Sequence, residues 1–274
     1  MLKNIIFVTG KKIKQLEQLE QETECAGAKV YYELPKEDIA MNETLFVTDH
    51  AEICNRLLKE QASVLAWLHE KNKEQNLGQV PYAVECLEEL DYCYLEKIYR
   101  RFHKIPWEIA ETKRCRIREM EVADLDALYR IYEAPSITRY MENLYEDRKK
   151  EEEYTRSYIE NAYTFWGFGT WILERKDGRI IGRVGFNLRD GYDIPELGFV
   201  IGEECQRQGY AYEACKAVLD VGKNEYEFTT VQALVKEENI ASVELCKKLG
   251  FVLKGKVLEQ GEEYLLFLYD TERV

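Results

Sequence analysis

The segment Glu196–Ala211 holds residue types that can bind an anion and move a proton. Its apolar start, Glu196–Ile201, indicates a strand, and the following loop carries the pattern Gln206-x-x-Gly209-x-Ala211 before a predicted helix. A glycine and a small residue let the backbone approach a ligand closely. The first N–H groups of a helix lack partners within it and carry the positive end of its dipole, which suits a pyrophosphate. Arg207 would add a charge-assisted contact, and the plain alternative is a helix start with a chance glycine.

A second segment, Asn239–Phe251, follows a predicted strand over residues 230–235. Asn239 stands where a helix N-cap is expected, and Gly250 stands where a helix ends before an aromatic residue. An amphipathic helix explains this segment by itself. It does not explain why such a helix follows the loop at residues 206–211 at this distance along the chain.

The two segments together resemble the acetyl-CoA site of the GNAT superfamily of N-acetyltransferases. The matching residues are Gln206, Gly209 and Ala211 for the acetyl-CoA signature, and Asn239, Ser242 and Lys248–Phe251 for the second motif. The strand Glu196–Ile201 is similar to the fourth strand of the branch that includes the ribosomal-protein alanine acetyltransferases. The resemblance covers about residues 114–272.

This resemblance implies that acetyl-CoA is the cosubstrate and that it lies between two diverging strands, at residues 196–201 and 230–235. Backbone groups of the first strand would bind the pantetheine and polarise the thioester carbonyl. Backbone groups of the loop would hold the pyrophosphate, and Asn239 would face the pantetheine arm or the leaving sulfur. The cofactor-binding residues implied in this way are Phe199, Val200, Ile201, Gln206, Arg207, Gln208, Gly209, Tyr210, Ala211, Asn239 and Ser242.

The implied reaction is direct attack of a neutral primary amine on the thioester, which needs a base and benefits from a proton donor for the leaving thiolate. Glu196 is the candidate base, acting directly or through a water, and the alternative is a solvated carboxylate at a strand end. The superfamily's usual acid is a tyrosine in the second motif, where this chain has Cys246. A thiol is a weak donor, with an ordinary pKa of about 8.5. The alternatives are that Cys246 is a small core residue and that water or the departing ammonium protonates the thiolate.

Composition limits the partners and the compartment. The 274 residues carry a net charge of −13, which repels nucleic acid and anionic lipid and suits a cationic amine, although acidic surfaces also serve solubility. The amine acceptor is expected to be a small molecule or a peptide. No apolar run approaches a membrane span and no signal peptide is recognisable. The eight cysteines form no C-x-x-C pair and the three histidines are not spaced as ligands, which predicts reduced thiols, a cytoplasmic location and no metal.

Two domains are predicted, at residues 1–112 and 113–274. In the first, short apolar strands alternate with helices, which predicts an α/β domain with a parallel sheet covered on both faces. In the second, the order of strands and helices differs, and the resemblance to the GNAT superfamily implies an α+β domain with a mixed, mostly antiparallel sheet. The first domain weakly resembles a haloacid-dehalogenase-like or Rossmann-type domain. Where such phosphatases place an Asp-x-Asp pair this chain has Thr9–Lys12, and Asp49 is a lone carboxylate at a strand end.

The first domain is therefore not expected to be a catalyst. Docking, sensing and dimerisation are the roles considered for it, and a homodimer is left open. Two hypotheses compete with the transferase as a whole. In one, the second domain senses acetyl-CoA without turnover and the first domain transmits the signal. In the other, the first domain is a phosphatase and the chain is bifunctional.

Overall fold

The computed structural model describes residues 1–36, 38–75, 77, 80–189 and 191–273. The chain forms two compact units, Met1–Ile105 and Pro106–Val274. The predicted boundary near residue 112 falls inside the second unit, because a strand at Glu108–Glu111 pairs with the second sheet.

The first unit has a parallel sheet with helices on both faces, which confirms the predicted fold class. Its elements are β1 (Asn4–Val8), α1 (Glu17–Cys25), β2 (Lys29–Tyr31), β3 (Thr44–Thr48), α2 (Ala51–Lys59), β4 (Ser63–Trp67), β5 (Ala83–Val84) and α3 (Tyr92–Phe102). The five strands lie in the order β2-β1-β3-β4-β5, and each neighbouring pair runs parallel. Leu95 and Ile98 of α3 belong to one apolar cluster, and Cys54 and Leu57 of α2 belong to another.

The second unit is built on a mixed sheet of eight strands in the order β12-β13-β11-β10-β9-β8-β7-β6. Its strands are β6 (Glu108–Glu111), β7 (Cys115–Arg118), β8 (Thr170–Arg175), β9 (Ile180–Asn187), β10 (Glu196–Ile201), β11 (Thr230–Val235), β12 (Val252–Glu259) and β13 (Glu262–Asp270). Its α-helices are α4 (Leu125–Tyr132), α5 (Pro135–Thr138), α6 (Arg148–Tyr158), α7 (Tyr210–Asn224) and α8 (Ile240–Leu249). All neighbouring strands are antiparallel except β10 and β11, which confirms the mixed, mostly antiparallel sheet.

The helices of the second unit cover opposite faces of its sheet. Phe186 of β9 packs so closely on α7 that a Cβ added at Gly222 would lie 2.8 Å from its ring. On the other face, Val200 of β10 forms an apolar cluster with Tyr132 and Ile137 of α4 and α5. Side chains of β9 and β10 therefore alternate between an α7 face and an α4 face. α6 continues directly into a π-helix at Ile159–Trp166.

Candidate functional site

A fork opens in the middle of the second sheet. β10 and β11 share one register pair, Glu196 with Gln232, and the backbone N–H of Gln232 donates to the carbonyl of Pro195 at 2.9 Å. Over the described residues no further rung joins the two strands, whereas β10 stays paired with β9 along its whole length. The strands thus part toward the C-terminal end of β10, as the resemblance implies. The side chain of Val200 packs against α4 and α5, so the backbone of this strand is the part that can meet a ligand in the fork.

An exposed loop at Gln206–Gly209 follows the open end of the fork. Arg207 and Gly209 both have left-handed backbones, with φ of 60° and 84°. A left-handed residue followed by a right-handed one, as at Gly209 and the first residue of α7, turns successive N–H groups toward one side, a geometry that binds anions. α7 begins at Tyr210 without a side-chain cap, so its first N–H groups are not occupied by a capping side chain. Side chains reinforce the turn, since Gln206 Nε2 donates to the carbonyl of Ile201 at 3.0 Å.

Arg114 braces this loop, which sequence analysis did not foresee. Its Nε donates to Glu213 Oε2 at 2.7 Å, and its Nη1 donates to the carbonyl of Gln208 at 2.9 Å. The guanidinium also stacks on the buried ring of Tyr210 at 4.1 Å. Burial alone would raise the pKa of Glu213, but hydrogen bonds from Thr112 and Arg114 outweigh it and lower the pKa. Arg114, the residue before β7, thereby links the sheet to the loop and to the first turn of α7.

The second predicted motif forms the start of α8. Asn239 is its N-cap and accepts a hydrogen bond from the backbone N–H of Ser242 at 3.2 Å. Both residues are partly exposed and lie shortly after β11, the second strand of the fork, from which residues 236–238 separate Asn239. The cap explains why asparagine suits this position. It also holds the side chain next to the strand where the resemblance places the pantetheine arm.

Glu196 lies at the rung of the fork, and its side chain forms an ion pair. Arg189 Nε donates to Glu196 Oε2 at 2.6 Å and Arg189 Nη2 donates to Oε1 at 3.1 Å, while the carboxylate is 13% exposed. The bond to Glu196 raises the pKa of Arg189. A carboxylate held by a bidentate guanidinium is well oriented, and each oxygen keeps a second lone pair for another donor.

Cys246 lies in the core of the second unit with no exposed surface. Burial raises the pKa of its thiol to about 12. A proton held this tightly is a poor one to give to a leaving thiolate. The placement favours packing, and the general-acid role stays a prediction.

Open space lies beside the rung on the α4 face. Gly198 follows Glu196 on this face, and a Cβ added there would have one neighbour within 4 Å, Asn187 Nδ2 at 3.5 Å. Asn187 Oδ1 accepts a hydrogen bond from the hydroxyl of Thr170 at 3.1 Å. The backbone N–H of Thr170 in turn donates to the hydroxyl of Tyr158 at 2.7 Å. Polar side chains are therefore gathered around a space next to the candidate base.

Asp49 of the first unit is buried, and its carboxylate is engaged in hydrogen bonds. Its carboxylate accepts hydrogen bonds from the backbone N–H groups of Gly10 at 2.8 Å and Lys11 at 3.2 Å, and lies 3.1 Å from His69 Nε2. Burial would raise its pKa, but these hydrogen bonds outweigh it and lower the pKa. Asp49 thus ties together loops that follow three strands of the sheet. In the part of the chain that the structure describes, no cluster of three or more metal-binding side chains was found.

Comparisons with known proteins agree with the geometry of the second unit. The sequence model of the acetyltransferase (GNAT) domain matches residues 114–252. The uncharacterized N-acetyltransferase YoaA of Bacillus subtilis is 30% identical over 167 residues, which are 57% of this chain and 92% of that protein. No helix among the described residues is long and apolar enough to cross a membrane.

Solved structures of acetyltransferases share the fold. The ribosomal-protein-S5-alanine acetyltransferase of Vibrio fischeri superposes with a TM-score of 0.52 at 14% identity, covering 61% of this chain and 97% of that one. The ribosomal-protein acetyltransferase RimL in complex with coenzyme A gives a TM-score of 0.52 at 12% identity, covering 60% of this chain and 98% of that one. At these identities the likeness concerns the fold alone.

Proposed function

Because this chain belongs to the GNAT family of acetyltransferases, we propose that it transfers the acetyl group of acetyl-CoA to a primary amine. The observation that carries the proposal is the fork, where β10 and β11 share one rung and part toward the exposed loop at Gln206–Gly209. The gap between the strands suits a thin chain, and the helix start beyond it suits a pyrophosphate. Acetyl-CoA has both parts and supplies an activated acetyl group.

The chain's own residues divide the binding between strand and loop. Backbone groups of Phe199, Val200 and Ile201 line the fork, where no strand competes for them over the described residues. N–H groups from Gln206 to Ala211 bind the pyrophosphate, and Arg207, which is exposed, adds a positive charge. Asn239 and Ser242 border the fork from the β11 side.

Glu196 removes a proton from the acceptor. An ammonium ion has no lone pair, so the amine must lose a proton before or during its attack. Glu196 is next to the open space at Gly198, and Arg189 fixes its orientation. The carboxylate oxygens accept the proton directly or through a water.

The acceptor in this proposal is a peptide amino terminus or a small amine. Two proteins that share the fold are named for acetylating ribosomal proteins, which is consistent with a peptide amino terminus. We propose that residues 106–274 carry the catalysis and that the first unit serves docking, sensing or dimerisation. We also place the enzyme in the cytoplasm, where its eight free cysteines would stay reduced.

Release of free thiol from acetyl-CoA across a panel of primary amines and short peptides tests the proposed activity. Glu196→Gln should lower turnover by about a hundredfold, the lower range for loss of a general base, and leave acetyl-CoA affinity unchanged. Arg189→Met is the matched control, because it breaks the same ion pair and keeps the carboxylate. Equal losses in the two variants would remove Glu196 from proton transfer, and no thiol release with any amine would contradict the activity itself.

A further inference from the structure

Three polar side chains stand in register on neighbouring strands at the closed end of the fork. Asn187 of β9 pairs with Glu196 of β10, and Glu196 pairs with Gln232 of β11. Register partners in neighbouring strands point to the same face of a sheet. The short distance between Asn187 and the Cβ position of Gly198 confirms that this is the face with the open space.

Gln232 is the unexpected member of this row. It is 1% exposed, and its Nε2 has no hydrogen-bond partner among the residues that the structure describes. Its neighbours along β11, Val231 and Ala233, point into the apolar core on the other face. A buried amide donor without a partner is costly, whereas leucine at the same place would cost nothing in hydrogen bonding.

The chemistry of this donor selects what can satisfy it. An amide N–H₂ gives hydrogen bonds and cannot accept them, so its partner must be an acceptor atom. The ammonium form of an alkylamine offers only donors, and its neutral form needs its lone pair for the attack. A carbonyl or carboxyl oxygen next to the amine of the substrate can supply this acceptor atom.

Strand spacing brings both ends of such a molecule within reach. Neighbouring strands lie about 4.8 Å apart, so once the buried Gln232 amide turns toward the open space, one bound molecule can place its amine against Glu196 and an adjoining carbonyl oxygen against Gln232. An oxygen in this position lies over the closed end of the fork, where β10 and β11 still share a rung.

We infer that Gln232 contacts the acceptor, donating a hydrogen bond to a carbonyl or carboxyl oxygen next to the reacting amine. The inference rests on the proposed acetyl transfer. It narrows the acceptors to α-amino acyl compounds, such as amino-acid amides and peptide amino termini. Simple alkylamines and polyamines lack the oxygen and bind without this contact.

A matched pair of acceptors isolates the contact. Alaninamide and sec-butylamine both carry the amine on a branched carbon, and only alaninamide has a carbonyl beside it. The full-length enzyme is assayed for thiol release from acetyl-CoA with each amine. The measured quantity is the ratio of the two kcat/KM values, and comparing this ratio between variants cancels the different basicities of the amines.

Gln232→Leu should lower kcat/KM for alaninamide about tenfold, the worth of one good hydrogen bond, and leave sec-butylamine unchanged. Gln232→Met, which is unbranched, repeats the test should leucine fit poorly. Trp171→Phe is the control, because Trp171 is fully buried and its Nε1 also has no partner among the described residues. It packs against Phe186 on the α7 face, and its removal should leave the ratio as in the parent.

The possible outcomes distinguish a failure of the inferred Gln232 contact from a failure of the proposed acetyl transfer. A Gln232→Leu variant that keeps the parent's ratio, whether it loses activity with both amines equally or with neither, overturns the role of Gln232 while acetyl transfer stands. A shift of the ratio in Trp171→Phe equal to that in Gln232→Leu overturns it too. If no amine in the panel gives thiol release, the proposed activity is overturned, and the inference with it.

Discussion

Gly209→Val is expected to leave the protein folded and to remove most of its affinity for acetyl-CoA. Gly209 has φ of +84°, a left-handed backbone that costs a residue with a Cβ about 1–2 kcal/mol. The nearest atom to an added Cβ is Arg114 Nη2 at 3.5 Å, an ordinary contact. Backbone strain and not a clash therefore sets the loss of folding stability.

The loss of binding is larger because the branched side chain takes the space that a pyrophosphate needs. Displacing two hydrogen bonds from backbone N–H groups to the charged phosphate costs about 1.5–3 kcal/mol each. The sum of about 3–6 kcal/mol corresponds to a loss of affinity of roughly a hundredfold to ten thousandfold. Titration calorimetry with acetyl-CoA measures this loss directly.

Gly178→Val is the control that distinguishes backbone strain from loss of the space for the pyrophosphate. Gly178 lies in the turn between β8 and β9, has nearly the same φ of +85°, and an added Cβ would meet nothing within 4 Å. Its valine variant should lose similar stability in thermal unfolding and bind acetyl-CoA as the parent does. The reasoning is refuted if both variants lose affinity equally, or if folded Gly209→Val binds like the parent.

Two further predictions concern the core of the second unit. Burial alone would raise the pKa of Glu174, but hydrogen bonds from Arg116 and Arg118 outweigh it and lower the pKa. This stabilisation is complete above the unfolded-state pKa of about 4.3 and is lost as pH falls through the lowered folded-state pKa. Glu174→Gln should thus cost roughly 2 kcal/mol at pH 7 and progressively less as the pH falls through the folded-state pKa, as measured by urea unfolding; a cost that does not change with pH would contradict it. Cys246→Ala should cost about 1 kcal/mol of stability and less than tenfold in turnover, and a larger loss of turnover at unchanged melting temperature would restore Cys246 as the acid.

The parts of the fold that sequence predicted are those with a strong local pattern. The buried strands of the first unit are short apolar runs. The loop at Gln206–Gly209 is recognisable in the sequence by the spacing of Gln206 and Gly209 before a helix. β12 was missed because most of its residues are exposed, so Val252–Glu259 shows no apolar alternation. β6 was missed because Glu108–Glu111 is short, edge-placed and charged at both ends. Edge strands of this kind carry little of the pattern that prediction depends on.

The backbone parts of the candidate site follow from local sequence patterns, whereas contacts between side chains distant in sequence do not. Arg114 contacts Glu213 across 99 positions of sequence, and no local pattern announces such a pair. Arg189 and Glu196 are close in sequence, yet two charges flanking a turn carry no sign that they will pair. Gln232 was not predicted as a site residue, and its one signal in the sequence is a polar residue inside an otherwise apolar strand.

The single rung between β10 and β11 also has a mechanical consequence. Hydrogen bonds between neighbouring strands normally hold a sheet together, and over the described residues β10 and β11 are joined by one rung. On one side lie the five strands from β6 to β10, and on the other lie β11, β13 and β12. We expect a molecule bound in the fork, as proposed, to supply hydrogen bonds between the two parts of the sheet, which the free protein lacks beyond the rung at Glu196 and Gln232.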